Sequence, residues 1–384
     1  MDLDQPTVDD LRHAGSVKWS TFPDKIGSFI AEMDFGTAPA VTRALHDAVD
    51  AGLLGYLPGW LWDGLADAAS TWLRRHHHWE VPPERIRPLG DVIGGLQAAI
   101  EHFSEPGSAV IIPTPAYMPF LTVPKAMGRE LIEVPLQAAD GRYAYDLEAL
   151  DAAFAAGANL LVLCNPHNPI GRVLEREELL AISEVVERHG GRVFADEIHA
   201  PLVFPGHQHV SYATISPVAA AHTVTAISAS KAWNLPGMKC AQLVLSNDAD
   251  AARWAQVGTG AEHAAATLGV VANTAAYSSG EEWLGEVLDH LDGNRKLLGD
   301  LLVERLPEVG YRPPEGTYLA FLDCRALELG ERPADFFAEY AGVALTDGSE
   351  CGVAGRGFVR LNFATPRPIL EATVDAMAAA VRRR

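Results

Sequence analysis

The sequence is poor in cysteine, has no long apolar run and carries no concentration of basic charge. Its four cysteines, Cys164, Cys240, Cys324 and Cys351, lie far apart and show no paired spacing. That excludes a zinc ribbon or a disulfide framework and suits a reducing, cytoplasmic setting. No apolar stretch approaches the ~18 residues needed to cross a bilayer. The start, MDLDQPTVDDLRH, lacks the basic flank and apolar core of an export signal. Neither a repeat of solenoid period nor a low-complexity linker is present. Lys and Arg number 30 against 50 Asp and Glu, for a net charge of −20. That field repels polyanions, so neither nucleic acid nor a membrane is an expected partner. His76, His77 and His78 look metal-like, but adjacent side chains diverge on a helix. They are read as a solvated face, and no metal is expected.

What is present is the composition of a globular protein, 48% hydrophobic and 21% charged. A chain of 384 residues exceeds what one core usually serves. The middle alternates apolar runs with amphipathic stretches. Ser108–Pro113, Glu130–Pro135, Asn159–Cys164, Arg192–Asp196, Thr223–Ser228 and Ala241–Leu245 read as strands. Their lack of polar alternation predicts cover on both faces. Glu175–Gly190 reads as a helix, acidic at its start and apolar at Leu179, Ile182, Val185 and Val186. The expected fold class is therefore α/β: a large domain whose mostly parallel central sheet is sandwiched by helices. The tail differs, with a helix over Leu284–Arg305, strands at Tyr318–Asp323 and Gly357–Phe363, and a last helix from about Ile369. We expect residues 36–280 to form the large domain, and 1–35 with 281–384 a smaller α+β domain.

Lys231 follows a strand in Ser228-Ala229-Ser230-Lys231, at the sheet edge where α/β proteins bind ligands. Its amine can form a Schiff base with an aldehyde cofactor, although a lysine after a strand is ordinarily a solvated one. Asp196 ends the strand RVFAD, where a carboxylate can face a pyridine nitrogen or merely cap a turn. Asn168, in Asn165-Pro166-His167-Asn168-Pro169-Ile170-Gly171, can donate to a ring oxygen or sit in a rigid turn. Gly94 and Gly95 open the stretch Leu96–Phe103, whose N-terminal N–H groups suit a phosphate. Ser228, Ser230 and Lys239 can complete that cup. Tyr117 can stack on an aromatic ring or pack in a core. Arg360 can clamp a carboxylate bidentately or pair on a surface. Cys164 reads as a buried small residue, and Cys351 sits in the glycine-rich loop GSECGVAGRG.

These pieces, in this order, resemble the fold-type I pyridoxal 5′-phosphate (PLP) enzymes of the class I/II aminotransferase superfamily. The resemblance rests on Gly94-Gly95, Tyr117, NPHNPIG, Asp196, SASK and Arg360, and spans roughly Glu32 to Arg367. Within it, Ala31-Glu32-Met33-Asp34-Phe35, the internal His167, Asp196-Glu197-Ile198-His199 and RLNFATP resemble the cystathionine β-lyase-like carbon–sulfur lyases. Many aminotransferases carry tyrosine where His199 stands. Glu32, Trp233 and Lys239 depart from the usual Asp, Phe and Arg.

The resemblance implies PLP held by Lys231, with Lys231, Asp196 and Tyr117 carrying catalysis. It places Gly94, Gly95, Leu96, Asn168, His199, Ser228, Ser230 and Lys239 around the cofactor, and Arg360 and Asp34 on the substrate. It also implies a homodimer in which Tyr56 reaches the neighbour's cofactor. The expected reaction cleaves cystathionine or a related cysteine S-conjugate to a thiol, pyruvate and ammonia. An aminotransferase shares the first proton removal and is the nearest rival. A non-catalytic regulatory protein of the same fold is the rival of another class.

Overall fold

A computed structural model of the chain describes residues 2–139 and 142–384. Its centre is a seven-stranded sheet in the order Ile86–Leu89, Ala241–Leu245, Thr223–Ile227, Arg192–Asp196, Ala158–Cys164, Ala109–Thr114 and Leu131–Pro135. Only Ala241–Leu245 runs antiparallel to its neighbours; every other pairing is parallel. Four of the inner strands, Ala109–Thr114, Arg192–Asp196, Thr223–Ile227 and Ala241–Leu245, are buried almost throughout. That accounts for their unbroken apolar character: helices cover both faces, so no side of the pleat requires polarity. The helix Arg176–Arg188 turns Leu179, Ile182, Val185 and Val186 inward. Its start is fixed by a capping box between Glu175 and Glu178.

The C-terminal part forms a second, antiparallel sheet of Leu319–Asp323, Phe358–Asn362 and Thr346–Asp347. The long helix Glu281–Arg305 packs with the final helix Arg367–Arg382. The N-terminal stretch joins this region, since Ile26–Gly27 pairs in parallel with Val343–Ala344. Chain ends distant in sequence are thereby brought to the edge of the main sheet, where strand carboxyl ends open toward a cavity. Among the described residues no helix is long and apolar enough to cross a membrane.

The histidine run departs from expectation. It closes the helix Gly59–His77, but of the three only His78 is exposed. His76 stacks on Trp72 at 3.7 Å and His77 meets His209 edge-on at 5.0 Å. Apolar ring area pulled these side chains onto the body of the protein, where burial lowers the pKa of both.

Candidate active site

A cavity of about 460 Å³ lies at the carboxyl ends of the central strands. Tyr117, Asn168, Asp196, His199, Ser230, Lys231, Lys239 and Arg360 all line it. The topology explains the convergence. Parallel neighbours end at the same edge, so the loops after Ala109–Thr114, Ala158–Cys164, Arg192–Asp196 and Thr223–Ile227 meet there.

Asp196 is buried at its strand end, and its Oδ1 accepts the Ile198 N–H at 3.0 Å. Burial pushes its carboxyl up to about 7, against the pull of that hydrogen bond; Glu197 adds to the rise and Lys231 opposes it. Lys231 donates from Nζ to the Ala31 carbonyl at 3.0 Å. Burial first, then the Arg360 charge, pushes its ammonium down to about 8. His199 is buried with Nδ1 unpartnered among the described residues, and burial pushes it down to about 3. It is therefore a neutral imidazole at physiological pH.

Arg360 is buried on the strand Phe358–Asn362. It donates to Asn168 Oδ1 at 3.0 Å, to the Phe29 carbonyl at 2.8 Å and to Thr346 Oγ1 at 3.1 Å. None of these partners carries negative charge, and Nε has no hydrogen-bond partner among the described residues. A buried guanidinium without a counter-ion is costly unless a ligand supplies the anion. Three residues after Asn168, Gly171, at φ 68°, closes the loop against Pro314. A Cβ at Gly171 would stand 2.3 Å from the Pro314 Cβ.

Several of the expected site residues do not line this cavity. The helix carrying Gly94 and Gly95 starts at Val92, with Asp91 as its cap, and the Gly94 N–H is spent on Asp91 Oδ1 at 2.8 Å. Gly95 serves packing: a Cβ there would come within 3.0 Å of Leu89 and 3.3 Å of Ala226 and Phe194. Leu96 is fully buried in the core beneath the helix. None of the three lines the cavity; Asp91, Val92 and Ile93 do instead. Ser228 lies behind the wall, donating to the Cys240 carbonyl at 2.7 Å and accepting from the Ser230 N–H. Asp34 does not line the cavity. It forms a buried ion pair with Lys18 at 2.8 Å and accepts from Trp19 Nε1 at 2.8 Å. Tyr56 lies outside this cavity and is fully exposed.

Other residues at the site went unread in the sequence. Asp91 binds Lys239 Nζ at 3.0 Å while capping its helix. The signal for it was its place directly before an apolar helical run. Ile30 and Ala31 reach the cavity from the N-terminal segment, and Met118 and Ile198 add apolar wall. Ala31 and Ile198 fall in segments that carry the resemblance, but nothing local marks any of the four as cavity wall, because that role arises from distant contacts. Cys164 lines the cavity, but burial raises its thiol well above the usual range, so it is not a nucleophile. Cys351 is buried with Sγ 4.0 Å from Met118 Sδ, and its thiol is pushed up to about 11 by burial.

Known proteins share this fold. The model of the aminotransferase class I and II family matches residues 24–377. Cystathionine β-lyase of Corynebacterium glutamicum is 38% identical, over 95% of this chain and 96% of its own. Cystathionine β-lyase PatB of Bacillus subtilis is 34% identical, over 90% of this chain and 92% of its own. The solved structure of cystalysin from Treponema denticola, which contains a pyridoxal 5′-phosphate cofactor, superposes with a TM-score of 0.93 at 28% identity. The two chains cover each other completely, at 100% each. With matched residues running nearly end to end, the chain belongs to the aminotransferase class I and II family.

Proposed function

We propose that the chain is a PLP-dependent carbon–sulfur β-lyase. It cleaves cystathionine or a related cysteine S-conjugate to a thiol, pyruvate and ammonia. Arg360 carries the amino-acid part of this reading, as a buried guanidinium without an anionic partner in the cavity that Lys231 lines. The preference for elimination over transamination follows the lyase names of the relatives at 38% and 34% identity.

The residues present fit the cofactor. Asp196 has a carboxyl raised by burial, which a protonated ring nitrogen would return to its ionised form. The unpartnered His199 Nδ1 is a further polar atom awaiting a ligand. We assign Asp196 to the ring nitrogen, Asn168 and His199 to the side of the ring oxygen, and Tyr117 to the ring face. Ser230, Lys239 and the first turn of the helix from Val92 take the phosphate, and Lys231 takes the aldehyde. When bound, PLP supplies a protonated ring that accepts the electron pair left on the substrate's Cα.

The chain's own groups do the rest. Arg360 binds the substrate carboxylate and orients the amino acid. Lys231 Nζ takes the Cα proton, its neutral form made accessible by burial and by Arg360. Asp196 keeps the ring nitrogen protonated by its charge. Ile30, Met118 and Ile198 give the cavity an apolar wall that limits water around the reacting groups.

We further assign residues 36–280 to the large domain, and 1–35 with 281–384 to the small one. The working unit is a homodimer in the reducing cytoplasm. Supporting it, Tyr56 is fully exposed and Leu54 and Trp60 are largely exposed, an apolar surface that suits a partner. The four cysteines are all free and buried. The test is turnover: purified protein with PLP and L-cystathionine or an S-alkyl cysteine should yield pyruvate and free thiol. Amino transfer that requires a keto acid and releases no thiol would decide for an aminotransferase.

A further inference from the structure

The N-terminal segment crosses the cavity as a strap clamped on two sides. On the C-terminal side, Asn362 Nδ2 donates to the Ile30 carbonyl at 2.7 Å and the Glu32 carbonyl at 2.6 Å. On the other, Asn234 accepts the Met33 N–H at 2.9 Å and donates to the Met33 and Gly36 carbonyls at 3.0 Å. Between the two carbonyls that Asn362 holds, the Ala31 carbonyl receives two donors at once. One is Lys231 Nζ at 3.0 Å, and the other is the Tyr318 hydroxyl at 3.0 Å. Tyr318 is fully buried, and its ring meets His199 edge-on at 6.0 Å.

We infer that Tyr318 is a positioning residue for Lys231: its hydroxyl keeps the Ala31 carbonyl satisfied when the amine turns away toward cofactor and substrate. The inference rests on Lys231 being the cofactor lysine. A buried carbonyl stripped of its last donor is strongly disfavoured. Shared between two donors, it holds each less firmly and can release one without being orphaned. The hydroxyl therefore loosens Lys231 from the strap and reduces the preference of its amine for the ammonium form. The charged and titratable groups facing that amine are Arg360, Glu32, Asp196 and His199. Tyr318 adds to their effect through the shared acceptor.

The test uses the full-length chain, stripped of PLP and remixed with it, following the absorbance of the lysine–cofactor bond near ~420 nm. Tyr318→Phe keeps the ring beside His199 and removes only the hydroxyl. At pH 7 its rate of attachment should fall roughly 3- to 10-fold, and the pH midpoint of attachment should rise by about half a unit to one unit. Incorporating 3-fluorotyrosine at position 318 strengthens the donor at nearly constant shape and should shift the midpoint the other way. This second replacement keeps the test decisive if the phenylalanine variant folds poorly. Lys231→Ala separates the two levels of the argument. If that variant still forms the band, the lysine assignment fails and this inference falls with it. If the band is lost there, while both Tyr318 replacements attach at the native rate and midpoint, the inference alone is overturned.

Discussion

Replacing Asp196 by asparagine is expected to stabilise the cofactor-free protein above neutral pH while abolishing its catalysis. Burial raises this carboxyl from 3.8 to about 7. An acid whose pKa rises on folding binds more protons folded than unfolded. Below about pH 4 both states are protonated and the group contributes nothing. Between about pH 4 and 7 the unfolded chain ionises first, so stability falls as pH rises. Above that window the full penalty persists. Roughly three pH units correspond to about 4 kcal/mol. This is a ceiling, because Lys231 and local relaxation soften the penalty. Asparagine removes the charge and keeps an oxygen for the Ile198 N–H, now 3.0 Å away. Urea unfolding followed by tryptophan fluorescence should therefore show Asp196→Asn more stable than the parent at pH 8, by about 1–4 kcal/mol, with the gap closing at about pH 4. Adding PLP should reverse the order at pH 8, since only the carboxylate gains an ion pair with the protonated ring. Equal stability at both pH values, without cofactor, would refute the claim that this carboxyl is strained for a ligand.

Three further outcomes follow from the same geometry. Arg360→Lys keeps the charge but loses the fork, so KM for the amino acid should rise roughly 10- to 100-fold, with a smaller change in kcat. An unchanged KM in steady-state kinetics would remove Arg360 from the carboxylate site. Because burial and Arg360 push Lys231 down to about 8, cofactor attachment should speed up with rising pH and level off near that value. Levelling only above about pH 10 in stopped-flow absorbance would mean a solvated amine. Lys18→Met leaves the Asp34 carboxylate buried with Trp19 as its remaining side-chain donor. It should cost about 3–5 kcal/mol, read as a lower urea midpoint; an unchanged midpoint would show the pair to be solvated.

The central sheet was legible because its strands are short-range objects. Runs such as NLLVLC and RVFAD are apolar without alternation, and only burial on both faces demands that. Lys231, Asp196 and Asn168 were legible for a related reason. Each closes or follows such a strand, and a parallel sheet delivers strand ends to one edge. The glycines were misread because Gly-Gly before an apolar stretch does not show where a helix begins. Asp91 decides that, and Gly95 is required by a contact with Leu89, Ala226 and Phe194 from three different strands. The surroundings of Asp34 were likewise beyond local reading, since its partner Lys18 is revealed only when the N-terminal segment folds back on itself.

Local pattern thus determined the elements, their layering and the identity of the residues at the strand ends. Tertiary contact decided which of them face the cavity and in what charge state. Ser228 faces away, Arg360 is left without an anion, and the Ala31 carbonyl reaches Lys231 across 200 residues of chain. Desolvation and hydrogen-bond sharing depend on atoms brought together from distant segments. A one-dimensional sequence records neither until the chain has closed around them.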